Sequence, residues 1–151
     1  MKKIIFTISG LVVLMVNLSV FAGDIKDTRH LEIAEVRHVF DGDTIQVYTG
    51  GEAFSIRLYG IDCMETSPIH RAYHQAYDNK TTIENIINQG NLAAKILKEI
   101  IEKNNNKVYF RTIGIDHYGR LLAIIYDMRK SNINNMLLKN PYCVPFDFVL
   151  N

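Results

Sequence analysis

There is no excess of charge of either sign in this sequence: 17 lysines and arginines meet 16 aspartates and glutamates over 151 residues. A protein that holds a polyanion by bulk electrostatics is markedly basic, so any affinity for phosphate has to come from a local site. Cysteine is nearly absent as well. Cys63 and Cys143 permit a single disulfide, and their positions in the sequence do not say whether it forms. Internal repeats, a long linker and a second domain are all missing, and the length suits one domain. With 48% hydrophobic and 22% charged residues, the composition is that of a folded globular protein rather than a disordered one.

Charge is also missing from "IIFTISGLVVLMVNLSV", residues 4–20, which follows Lys2 and Lys3. "VFA" (20–22) then offers small residues where a signal peptidase reads, and polar "GDIKD" comes next. This pattern predicts a signal peptide over residues 1–22, cleavage after Ala22 and an exported mature domain over 23–151, periplasmic or secreted. Thr7, Ser9, Gly10, Asn17 and Ser19 interrupt the apolar run, which argues against a retained membrane anchor. No stable membrane association is expected after cleavage. Loss of Lys2 and Lys3 leaves one more acid than base, and an oxidising compartment would allow the disulfide.

Three strand-like runs open the mature chain: "LEIAEVRHV" (31–39), "TIQVYTG" (44–50) and "AFSIRLYGI" (53–61), the last two joined through Gly50-Gly51 as a hairpin. The polar stretch 66–89 carries no clear period. From 90 to 106, Leu92, Ile96, Leu97, Ile100 and Ile101 recur at helical spacing opposite Lys95, Lys98, Glu99 and Glu102. Two more strands, 107–115 and 120–128, flank the turn "DHYG", and a short helix over 132–140 stops at Pro141. Five strands with a helix after the third predict an α+β fold, a five-stranded oligonucleotide/oligosaccharide-binding (OB) barrel with helices.

Within "VFDGDTIQV" (39–47), Asp41 and Asp43 stand where a strand should be starting, and aspartate is a residue strands avoid. A tight turn explains them, and so does a cation. Asp62 and Glu65 follow in "IDCMET" (61–66), Arg57 lies mid-strand, and "DHYGR" delivers Arg120. Gathered carboxylates suit a hard cation such as calcium, which takes oxygen ligands. Paired arginines suit a phosphate, and Glu65 is the spare carboxylate that could activate water. Strict alternation sets Arg57 and Asp62 on opposite strand faces, so Gly60 would have to mark a bulge that brings them together.

"VFDGDTI", "IRLYGIDCMET" and "DHYGR", in that order around one helix, resemble the staphylococcal nuclease (thermonuclease) family over roughly residues 31–140. The resemblance implies an OB barrel and a calcium-dependent nuclease that cuts DNA and RNA, leaves 3′-phosphate ends and works as a monomer. It implies Asp43, Asp62 and the backbone carbonyl of Cys63 as metal ligands, with Asp41 shaping the metal site. Arg57 and Arg120 would be the phosphate clamps, Glu65 the general base and Tyr118 a contact to a terminal phosphate. The family usually has Thr or Ala and then Pro before the catalytic Glu. Cys63-Met64 stands there instead, which removes a restraint on the loop that aims Glu65. His117 replaces a lysine, the 66–89 segment is long, and a third, C-terminal helix is absent or replaced.

Plainer readings compete for other residues. His70 and His74 have the i, i+4 spacing of a metal pair but no third ligand, so a solvated loop or surface helix is expected. Tyr142, Phe146 and Phe148 could stack on a base, but packing of the C-terminal tail is preferred. Cys63 has no histidine paired with it and makes a poor nucleophile. The rival function is a catalytically silent OB barrel that only binds nucleic acid or a protein. Silent copies lose Arg or Glu at these positions, and all are present here. A carbohydrate-binding barrel would want exposed aromatics and no arginine pair.

Overall fold

The computed structural model describes residues 30–148, so the expected signal peptide, residues 1–22, lies outside the described residues. In chain order the elements are β1 (Glu32–Val39), β2 (Thr44–Thr49), β3 (Glu52–Leu58), β4 (Ile61–Cys63), α1 (His70–Asp78), α2 (Ile83–Glu102), β5 (Lys107–Ile115), β6 (Leu121–Tyr126), α3 (Ile133–Leu137) and β7 (Cys143–Pro145). Five of the strands close a barrel in the order β1-β2-β3-β6-β5, while β4 and β7 form a separate two-stranded ribbon. Only the β3–β6 pair of the barrel is parallel. This is a closed five-stranded barrel with helices, an OB-type α+β fold.

Alternation builds the interior. Ile45 and Val47 of β2 and Ile56 and Leu58 of β3 are fully buried, and Ile45 pairs directly with Ile56. Val108 and Phe110 of β5 with Ala123 and Ile125 of β6 complete the lining. Helix α2 closes one end with a stripe of Ile86, Gly90, Ala93, Leu97 and Ile101. Each such large aliphatic side chain taken out of water contributes about 1.5–3 kcal/mol. Leu92, expected on that stripe, is instead 44% exposed, because the buried row runs through its neighbour Ala93.

The structure departs from the sequence reading in two places that matter for the site. Strand 53–61 is broken, since Gly60 takes φ +79 and separates β3 from β4. Such a backbone favours glycine. Asn134 of α3 holds the break by donating from Nδ2 to the Tyr59 carbonyl at 2.8 Å, while its Oδ1 accepts from Ile125 N at 3.0 Å. The second departure is the 66–89 segment, which holds all of α1 and the first turns of α2. Thr82 caps α2 through its hydroxyl, which accepts from Asn85 N, and Glu84 lies in the first turn, where the helix dipole favours an acid.

Candidate active site

The register of β2 against β3 starts the site. Thr44 pairs with Arg57, and Leu58 N donates to the Asp43 carbonyl at 2.8 Å, so Arg57 stands beside the "DGD" turn. Asp41 Oδ1 accepts from Asp43 N at 2.9 Å, closing that turn. The turn and the charge are therefore not alternatives. Asp41 shapes the turn and Asp43 points inward, 6% exposed, where its Oδ2 accepts from Cys63 N at 2.6 Å.

The break at Gly60 settles the alternation problem. Arg57 is 3% exposed and reaches both carboxylates, with Nη1 2.9 Å from Asp43 Oδ1 and Nη2 2.8 Å from Asp62 Oδ1. A guanidinium with two such partners is a fork that holds two carboxylates at a set separation. Burial pushes the Asp43 carboxyl up to about 7, with Arg57 pulling it down and Asp41 pushing it further up. Its charge is costly where it stands and would be relieved by a further cation. Among the described residues, no three His, Cys, Asp or Glu side chains converge as a ready-made metal cage. The oxygens of Asp43, Asp62 and the Cys63 carbonyl are what could hold one.

Arg120 is the residue immediately before β6, the strand beside β3. Arg57 pairs with Leu122 in the parallel β3–β6 register, and Arg120 lies two residues earlier, hence on the same side. Asp116 aims it. Asp116 Oδ1 accepts from Tyr118 N and Arg120 N, each at 2.9 Å, and Oδ2 accepts from Arg120 Nε at 2.8 Å. Burial pushes the Asp116 carboxyl up, but these bonds outweigh it and hold the group below its ordinary value. Asp116→Asn keeps the Oδ1 contacts and turns an N–H toward Arg120 Nε–H. Any reaction that uses Arg120 should slow about tenfold, the effect of roughly 1.4 kcal/mol of lost positioning. An unchanged rate in steady-state assays would remove Asp116 from the machinery.

Glu65 sits between these groups. Burial and then the charge of Asp41 raise its carboxyl above the ordinary value, while Arg57 and Arg120 pull it back. The missing proline before it is compensated. Met64 is buried with Ala72, Ala76 and Ile86, and its N donates to the Tyr142 carbonyl at 3.0 Å. Gly90 lets α2 press on this loop, since a Cβ there would lie 2.3 Å from the Glu65 carbonyl oxygen. The loop is restrained by packing rather than by a ring.

A cleft of about 330 Å³ opens in front, lined by Arg57, Arg71, Arg120, Tyr118, Phe146 and Phe148 among others. Tyr118 is 74% exposed at its rim, with the Arg120 guanidinium 5.4 Å from its ring centre. The C-terminal tail packs as expected but also forms a wall of the cleft. Phe148 stacks on Tyr59 and lies 5.4 Å from the Arg57 guanidinium. Cys63 and Cys143 are disulfide-bonded and directly opposed in the β4–β7 ribbon, which ties that tail to the site.

Sequence reasoning missed Arg71 and Gln75 of α1. Arg71 contacts Asp62 and has Nε 3.4 Å from Glu65 Oε1. Gln75 donates to the Cys63 carbonyl at 3.1 Å and accepts from Glu65 N at 2.9 Å. The signal was present: Ala72 and Ala76, four apart, mark a face packed on something, and Arg71 and Gln75 adjoin it. His70 and His74 lie on the exposed face of the same helix, their Nε2 atoms 3.3 Å apart.

A family model described as staphylococcal nuclease homologue matches residues 55–148. An uncharacterised protein of Methanocaldococcus jannaschii is 32% identical over 124 residues, 77% of this chain and 60% of that protein. The chain therefore matches about three-fifths of the length of that curated relative.

Proposed function

This chain belongs to the staphylococcal nuclease homologue family, and from that premise we propose that it hydrolyses phosphodiester bonds of DNA and RNA, with calcium as cofactor and little sequence preference. One observation carries the reading. Arg57 bridges Asp43 and Asp62 at the edge of a cleft that also presents Arg120 and Tyr118. Carboxylates for a cation and guanidiniums for a phosphate thus meet within one chain, and no second copy is needed to complete the site.

The donor set fits calcium: two carboxylates and a main-chain carbonyl are hard oxygens, and Asp43 and Asp62 are held side by side on one guanidinium. Calcium held by Asp43, Asp62 and the Cys63 carbonyl would supply a Lewis acid beside the phosphate. Arg57 on β3 and Arg120 just before β6 grip the phosphate and stabilise the charge that grows on its oxygens as water adds. Glu65, held by its backbone N–H to Gln75, takes the proton from that water. The P–O5′ bond then breaks, the 5′-oxygen leaves and takes up a proton from solvent as a 5′-hydroxyl, and the phosphate stays on the 3′-oxygen. The near-balance of charge over the whole chain suits a protein that grips one phosphate well rather than a long strand loosely. Export belongs to the same proposal, supported by the apolar leader and by the disulfide.

The test is cleavage of single-stranded DNA, duplex DNA and RNA in calcium, in magnesium and in chelator. Cutting that requires calcium is the expected result. Binding of these substrates without cutting in any metal would replace the reading with a nucleic-acid-binding barrel.

A further inference from the structure

Helix α1 places two side chains on the oxygens that the cation would use. Arg71 donates from Nη2 to Asp62 Oδ1 and approaches Glu65 Oε1, while Gln75 donates from Nε2 to the Cys63 carbonyl. Asp62 Oδ1 is thereby shared between Arg71 and Arg57. The two arginines differ in freedom. The Arg57 side chain is 3% exposed and fixed by its neighbours, whereas that of Arg71 is 42% exposed. Rotation of its own torsions is enough to redirect Arg71, and it already lines the cleft beside Arg57 and Arg120.

Arg57 already takes one side of Asp62, so a second guanidinium and a dication cannot both be added there at low cost, because they repel each other and draw on the remaining lone pairs. We propose that Arg71 is a third phosphate-binding arginine with two alternative partners: Asp62 and Glu65 when no cation is held, and the substrate phosphate when one is. The proposal rests on the calcium reading above. It makes cation and substrate cooperative. Calcium frees Arg71 for the phosphate, the phosphate keeps Arg71 away from the carboxylates, and by linkage each ligand tightens the other by the same factor. Gln75, uncharged, only has to release one carbonyl.

Calorimetric titration of calcium into the wild type and Arg71→Gln tests the first half. Anisotropy of a labelled phosphorothioate single strand, with calcium and with chelator, tests the second. Arg71→Gln should bind calcium about five- to tenfold tighter, at the low end of ordinary couplings. The same variant should bind the strand several-fold more weakly in calcium and little differently in chelator. Opposite signs for the two ligands are something a merely loosened α1 would not produce, since it would weaken both. Arg71→Lys, which keeps the charge without the fork, should fall between. Equal calcium affinity in wild type and variant would overturn the proposal and leave the calcium reading standing. Tighter calcium with unchanged strand affinity would reduce Arg71 to a counter-ion and overturn its phosphate role. No calcium binding by the wild type at millimolar concentration would overturn both.

Discussion

Exchanging Glu65 for glutamine should lower phosphodiester cleavage by about 10²–10⁴-fold, the usual worth of a positioned general base. Glutamine has the same shape, and the backbone N–H of residue 65 keeps its bond to Gln75, so the loop should stay in place. The ion pair with Arg71 is long, at 3.4 Å, and the Arg71 side chain is 42% exposed, so its loss should cost little stability. The thermal midpoint should therefore be unchanged while activity collapses. The acid limb of the wild-type rate is informative too. A base must be ionised, so activity should fall away as pH drops into the carboxylate range; without a cation, burial and then the charge of Asp41 hold this carboxyl above its ordinary value. A variant that retains even a tenth of the wild-type rate would assign the base elsewhere.

Removing the Cys63–Cys143 disulfide should have the largest effect on stability. The bond closes a sequence separation of 80 residues, and in the chain-entropy account such a loop is worth roughly 4 kcal/mol. For a domain of this size that corresponds to a fall in midpoint of roughly 10–20 °C. Calorimetry on Cys63→Ser/Cys143→Ser against the oxidised wild type checks it, and reductant added to the wild type should reproduce the shift. Activity should suffer as well, even well below the midpoint. The bond joins the strand that carries Asp62 and the Cys63 carbonyl to the tail that places Phe148 over Arg57. A double variant that melts with the wild type would mean that the β4–β7 ribbon holds itself together without the cross-link.

The barrel was legible because its strands alternate and its turns are spelled in glycine. Ile45, Val47, Ile56 and Leu58 declare one face, and Gly50-Gly51 declares the hairpin between them. The start of α2 was not. Asparagines, an interior glycine and an almost fully polar lead-in conceal a helix whose buried row runs through Gly90 and Ala93. That glycine is there because the Glu65 carbonyl lies against it, a contact between segments 25 residues apart that no local period records. Helix α1 was hidden for a similar reason. It buries little beyond Ala72 and Ala76, so its hydrophobic signal is faint while its polar face carries the contacts.

Residue type and order alone determined which chemistry was on offer: carboxylates at 41, 43, 62 and 65, arginines at 57 and 120, and a turn to deliver the second arginine. Those facts are local, since a side chain's charge and a turn's glycine are properties of a few adjacent residues. Only the tertiary structure decided that Arg57 could reach Asp62, because a break at Gly60, held by Asn134 from a distant helix, sets the two side chains together. It alone placed Arg71 and Gln75 on the same oxygens, and the two cysteines opposite each other. The disulfide and the Asn134 brace join segments 80 and 75 residues apart, and the shorter-range pairs depend on the break and the helix placement that such packing sets. Such distances follow from the joint packing of a barrel, a ribbon and three helices, which no short stretch of sequence contains.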